Sequence, residues 1–177
     1  MIGARAQAPT VRLFPRWEAA MFTVILRSVL HNLGVLAVGL GWAYLGTRVD
    51  GLLGLHAFSS VPVKFAAVVL LVLGFLTRLW ATAHFYSNHM RVISLEPQGT
   101  LITTGPFRFS RNPLYLGGNV FTFFGASLFL GSPGALLITA LHLPLVDYFQ
   151  VRREERQLEQ RFGNAWRAYR AQVRRWI

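Results

Sequence analysis

Four stretches of the chain are almost continuously apolar, and the polar residues gather between and after them. The apolar stretches cover about residues 28–46, 62–83, 113–130 and 135–149. Each approaches the roughly 20 residues that an α-helix needs to cross a bilayer. The pattern therefore predicts an all-α, polytopic membrane protein with about four spans, formed as one domain over residues 1–177. The first stretch begins late, and no small-residue cleavage site follows Trp42-Ala43-Tyr44-Leu45, so it reads as an uncleaved span. The second has a fully uncharged run only from 65 to 77, so Arg78 has to snorkel to an interface or face the bundle interior.

The connections differ in kind. Residues 47–61 form a loop with Gly51 and Gly54 ahead of Pro62. Residues 84–112 form a polar connection with Pro97, Gly99, Gly105 and Pro106, a backbone too irregular to sit in lipid. Gly131-Ser132-Pro133-Gly134 is a tight turn, which leaves the last two spans antiparallel and adjacent. Gly118, Thr122 and Ala126, four residues apart, make a stripe that permits close helix contact. From Val151 onward the pattern is one amphipathic, arginine-rich helix.

Composition supports the membrane reading. Hydrophobic residues make up 53% and charged residues 14%, with a mean hydropathy of +0.40, whereas a soluble domain carries about 25% charge. There is no cysteine, which excludes disulfides, thiolate metal sites and a cysteine nucleophile. The net charge of +11 in a soluble chain would suggest nucleic acid, but beside such apolar runs it points to membrane-surface electrostatics. The cations are asymmetric. Four lie in the N-terminal arm and its helix start, four from Arg78 to Arg111, and eight from Arg152 on, against only Arg48 and Lys64 in the opposite loops. The positive-inside rule then places both termini and residues 84–112 and 150–177 in the cytoplasm, as in a bacterial inner-membrane protein.

Two dense polar segments could carry chemistry. In the first, Gly105-Pro106 sets a turn, and Pro113 enters a helix that Asn112 can cap, leaving free N–H groups suited to an anion. A capped helix with headgroup-facing arginines explains the same residues. In the second, Leu158, Phe162, Trp166 and Tyr169 share one apolar face, with Glu154 directed toward it and Glu155 toward its flank. A carboxylate on a buried face requires a partner, with Arg108, Arg111 or a cationic ligand as candidates. Asp147 is expected as the one acid within a span, paired with an arginine or serving the site. His31, His56, His84, His89 and His142 lack metal-ligand spacing, and His84, His89 and Arg91 read as interfacial residues that could line a pocket.

These segments resemble a known superfamily. Gly105-Pro106-Phe107-Arg108, followed by Arg111-Asn112-Pro113-Leu114-Tyr115-Leu116-Gly117, is similar to the Gly-x-Tyr-x-x-x-Arg-His-Pro-x-Tyr-x-Gly signature of isoprenylcysteine carboxyl methyltransferases and phospholipid methyltransferases. Glu154-Glu155 through Leu158, Phe162-Gly163, Trp166 and Tyr169 resembles the C-terminal signature, and residues 173–177 resemble the family's close. The resemblance covers about residues 74–177 and implies S-adenosylmethionine as cofactor at the cytoplasmic face, without a Rossmann domain. It implies cofactor contacts from Gly99, Thr100, Leu101, Ile102, Phe107, Asn112, Pro113, Leu114, Tyr115 and Glu154. Arg108, Arg111 and Arg153 are the candidates for orienting carboxylates at the catalytic centre. Gln150 stands where prenylcysteine-methylating members carry a substrate-binding arginine, which argues against a prenylcysteine carboxylate.

The implied reaction moves a methyl group to a carboxylate, amine or thiol of a lipophilic or amphiphilic acceptor, with membrane lipids and not nucleic acid as surroundings. It needs in-line alignment more than acid–base chemistry. Two other readings stay open at this level: an NADPH-dependent membrane reductase of the steroid-reductase type, and a membrane protein without catalytic activity.

Overall fold

A computed structural model describes residues 16–88 and 100–177. Arg5, Arg12, His89, Arg91, Pro97 and Gly99 lie outside the described residues. The described chain is helical, with no strand among its elements. Helix α1 is Arg16–Leu53 and α2 is Val61–Ser87. A 3₁₀ turn, Gly105–Arg108, precedes α3, Pro113–Leu130, and α4, Pro133–Phe162. A short α5, Asn164–Gln172, follows. Four helices are long and apolar enough to cross a membrane: α2, α3, α4 and the Met21–Leu53 part of α1.

The helices outrun the apolar stretches that announce them. Helix α1 starts well before residue 28 and continues through the expected loop to Leu53. Asp50 explains the extension. It is buried, and it accepts hydrogen bonds from the Ser132 hydroxyl at 2.5 Å and the Gly134 N–H at 2.6 Å. An acid at that point caps the start of α4, so Asp147 is not the one acid within the spans. The chain turns only at Gly54, where φ is 63°. At the other tight turn Gly131 has φ 64°, and a Cβ there would stand 1.8 Å from the Phe58 carbonyl oxygen, so only glycine fits.

The bundle closes through small residues. Ala43, Ala126 and Ala135 are fully buried together. A Cβ on Gly46 would lie 2.2 Å from Ala135 Cα, and one on Gly74 would lie 2.6 Å from Thr122 Oγ1. The expected Gly118–Thr122–Ala126 stripe is where α1 and α2 approach α3. Phe65, Val68, Val72 and Leu76 are exposed at helical spacing and form a lipid-facing side of α2.

Arg78 faces the interior. Its Nε donates to Asn32 Oδ1 at 3.0 Å and its Nη1 to the Leu114 carbonyl at 2.6 Å, and its Nη2 meets His31 Nε2 at 3.0 Å. Gly117 and Gly118 leave room for it, since a Cβ on Gly118 would meet Arg78 Nη1 at 2.8 Å. Intramembrane cations persist where such partners surround them. One side chain thereby ties α1, α2 and α3 at the level of the first turn of α3.

Both long C-terminal helices contain a wide, π-helical stretch, Leu116–Thr122 in α3 and Asp147–Val151 in α4. Such stretches often lie beside functional sites. Here one follows Tyr115 and the other precedes Glu154. Helix α4 runs unbroken from the membrane into the polar segment, and the expected single amphipathic helix divides at Gly163, where φ is 51°.

Gly46→Ala is expected to destabilise the bundle by about 2 kcal/mol or more through overpacking against backbone, read as a lower unfolding temperature in detergent. Gly41→Ala, which meets nothing within 4 Å, should leave that temperature unchanged or slightly raised.

Candidate functional site

The polar segments around residues 100–115 and 154–175 meet at one end of the bundle and enclose a cleft of about 110 Å³ that opens to solvent. The first wall is the 100–115 segment. Gly105 has φ 60°, and a Cβ there would press on the His84 ring at 3.1 Å. The turn directs Phe107 inward, where it packs against Phe85 with Leu101 and Ile102 nearby. Tyr169 Oη donates to the Phe107 carbonyl at 2.7 Å, which fastens the turn to α5. Burial raises the Tyr169 phenol above the ordinary tyrosine range, so it remains a donor at neutral pH.

The second wall depends on Glu155. Its carboxylate is buried and receives Arg111 Nη2 at 3.3 Å and Arg175 Nη2 at 2.7 Å. Asn112 Nδ2 reaches it at 3.5 Å. Arg175 also pairs with Asp147 at 3.4 Å, and Asp147 with Arg152 at 3.0 Å. Backbone contacts complete the seam. Arg111 N donates to the Arg174 carbonyl at 3.0 Å, while the Ser110 hydroxyl and Asn112 Nδ2 donate to the Arg175 carbonyl at 3.1 and 3.3 Å. Hydrogen bonding to Glu155 holds Arg175 above the usual arginine range. Burial pulls Arg111 below it, against the opposing pull of Glu155.

Two expectations change here. Glu155, expected on the flank, is the more buried of the two acids and the centre of the ion-pair cluster. Asn112 occupies the cap position but makes no side-chain cap, because its amide is drawn to Glu155 and to the tail.

Glu154 has different surroundings. Tyr115 Oη donates to its Oε1 at 2.6 Å, and Gln150 is a further hydrogen-bond neighbour of that phenol. Neither Glu154 nor Tyr115 belongs to the Glu155 cluster.

Of the residues singled out from the sequence, Thr100, Leu101, Ile102, Phe107, Arg111, Asn112, Pro113, Leu114, Tyr115 and Glu154 line the cleft. Arg108 and Arg153 are exposed and outside its lining, and Gln150 is exposed beside Tyr115. Sequence reasoning did not assign Phe85, Glu155, Leu158, Trp166 and Tyr169 to the site, although the last three share the apolar helical face already visible. Arg175 was visible only as part of residues 173–177, which resemble the family's close, with no role attached. Among the described residues, no group of acids and histidines could hold a metal ion.

The family model for phospholipid methyltransferases matches residues 63–165, more than half of the chain. An uncharacterized protein of Haemophilus influenzae is 39% identical over 51 residues, which is 29% of this chain and 81% of the relative. No solved structure matches the chain.

Replacing Arg175 with alanine leaves Glu155 and Asp147 short of a cation. Because Arg175 is about one-third exposed, the expected loss is discounted to about 2 kcal/mol from the larger cost of breaking a fully buried pair. Thermal unfolding should show it, and Arg174→Ala, which keeps the backbone carbonyl that Arg111 uses, should show little.

Proposed function

This chain belongs to the phospholipid methyltransferase family, and from that premise we propose that it transfers a methyl group from S-adenosylmethionine to a lipophilic acceptor at the membrane surface. The observation that carries the reading is the character of the cleft. It combines an apolar wall of Phe85, Leu101, Ile102 and Phe107 with separate acidic and basic groups. A nucleoside joined to an amino acid has that same division.

The donors fit the cofactor. Arg111 Nε and Nη1 and Trp166 Nε1 are buried without a protein acceptor, and Arg111 lies 5.6 Å over the Trp166 ring. A ligand carboxylate beside them would relieve the cost of three unmade hydrogen bonds. Glu154 and Tyr115 would face the cationic part of the cofactor. When bound, S-adenosylmethionine supplies an electrophilic methyl group on a sulfonium.

The protein's contribution is alignment and exclusion of water. The Phe107 turn and Leu158 narrow the apolar side, and the Glu155 seam keeps the two walls in register. Gln150, beside Tyr115 at the membrane end, is positioned to meet the acceptor's polar group, a carboxylate, amine or thiol. Arg108 and Arg153 are exposed and fit attraction to anionic headgroups better than a role at the reacting atoms. The excess of cations beside the cleft supports a cytoplasmic position for it and for both termini, as in a bacterial inner-membrane protein.

Isothermal calorimetry on detergent-purified protein tests the reading. S-adenosylhomocysteine should bind in the cleft, and Trp166→Phe should weaken it about fivefold by removing the buried indole N–H that would meet the ligand. Binding of NADPH with none of the adenosyl ligand would replace methyl transfer by the reductase reading.

A further inference from the structure

The cleft holds two acids whose surroundings are opposite. Glu155 is neutralised by Arg111 and Arg175. Glu154 is in none of the ion pairs among the described residues, and Tyr115 is its hydrogen-bond donor there. A largely buried carboxylate without a counter-ion is costly, and a bound cation offsets that cost.

The two acids, adjacent on α4, also have different neighbours. The charged and polar neighbours of Tyr115 are Glu154, Gln150 and Arg78, all carried by the membrane helices. Those of Arg111 are Glu155 on α4 and Tyr169, Arg170 and Arg175 beyond it, in α5 and the tail. The exposed rings of Tyr148 and Phe149 stand just before Gln150, where an aromatic belt would meet the lipid boundary. A lipophilic acceptor arrives from that side, so the transferable methyl has to be presented beside Glu154.

Resting on the cofactor reading above, we propose that Glu154 makes the cleft sense ligand charge, holding a sulfonium more tightly than the thioether that remains after transfer. In the transfer the acceptor's lone pair forms the new bond to carbon, and the electrons of the sulfur–carbon bond stay on sulfur. The sulfonium becomes a neutral thioether, while an amine or thiol acceptor releases a proton and a carboxylate releases none. The attraction to Glu154 ends with the charge, so the same side chain that holds the donor lets the spent product go.

The test is calorimetry on the full chain in detergent with three ligands, for wild type and Glu154→Gln. The ligands are S-adenosylmethionine, S-adenosylhomocysteine and sinefungin, which carries an amine cation near the methyl position. Glutamine still accepts from Tyr115, so the fold is preserved. Wild type is expected to bind the two cationic ligands about tenfold more tightly than the thioether. Glu154→Gln should bring the three within about twofold while leaving the thioether affinity unchanged. Equal binding by wild type, or an equal loss for all three ligands in the variant, overturns the proposal. Absence of binding of any of the three by folded wild type instead overturns the cofactor reading, and this proposal with it.

Discussion

The Glu155 carboxylate is the contact on which the candidate site depends. It joins the segment before α3, the C-terminal part of α4 and the C-terminal tail. A charge so buried is tolerable only with partners in place. Those partners come from positions 43 residues upstream and 20 residues downstream for Asn112 and Arg175. The tail and the turn are therefore ordered together, and the cleft between them exists because both are held to one point. Tyr169 adds a second fastening through the Phe107 carbonyl, on the apolar side.

The bundle beneath obeys a related constraint. Polar groups within a membrane have to find partners inside the protein. Asp50 meets the start of α4, Arg78 meets α1 and the first turn of α3, and Thr139 receives the Trp42 indole N–H at 3.1 Å. Glycine and alanine at the crossings let these short contacts form. The site thus sits on a base whose helices are fixed in rotation as well as in distance. Arg78 bonds the carbonyl of Leu114, next to Tyr115, so the packing of α1 and α2 bears directly on where that phenol points.

Much of this architecture could be read in the sequence. The four apolar stretches, the turn at Gly131 and the two polar segments all follow from hydropathy, glycine and proline. Most residues of the cleft wall from Thr100 to Tyr115 could be named by resemblance. Other features could not be. The length of α1 depends on a capping contact between Asp50 and a turn 82 residues away, which no local pattern reveals. The relative depth of Glu154 and Glu155 depends on Arg175, whose place is set by the tail crossing over Ser110 and Asn112. Helical spacing sets the two acids about 100° apart and favours Glu154 for the buried face, and the partners of Glu155 reverse that order. Arg108 and Arg111 look alike in sequence, yet the turn leaves one exposed and buries the other against Trp166.

The two acids divide the labour: Glu155 builds the cleft, and under the proposed function that cleft receives an adenosyl cofactor. Photochemical cross-linking with methyl-tritiated S-adenosylmethionine, followed by peptide mapping, tests this most directly. Label is expected in peptides spanning residues 100–115 and 154–169, suppressed by excess S-adenosylhomocysteine. Label confined to other helices, or none from folded protein, would contradict it.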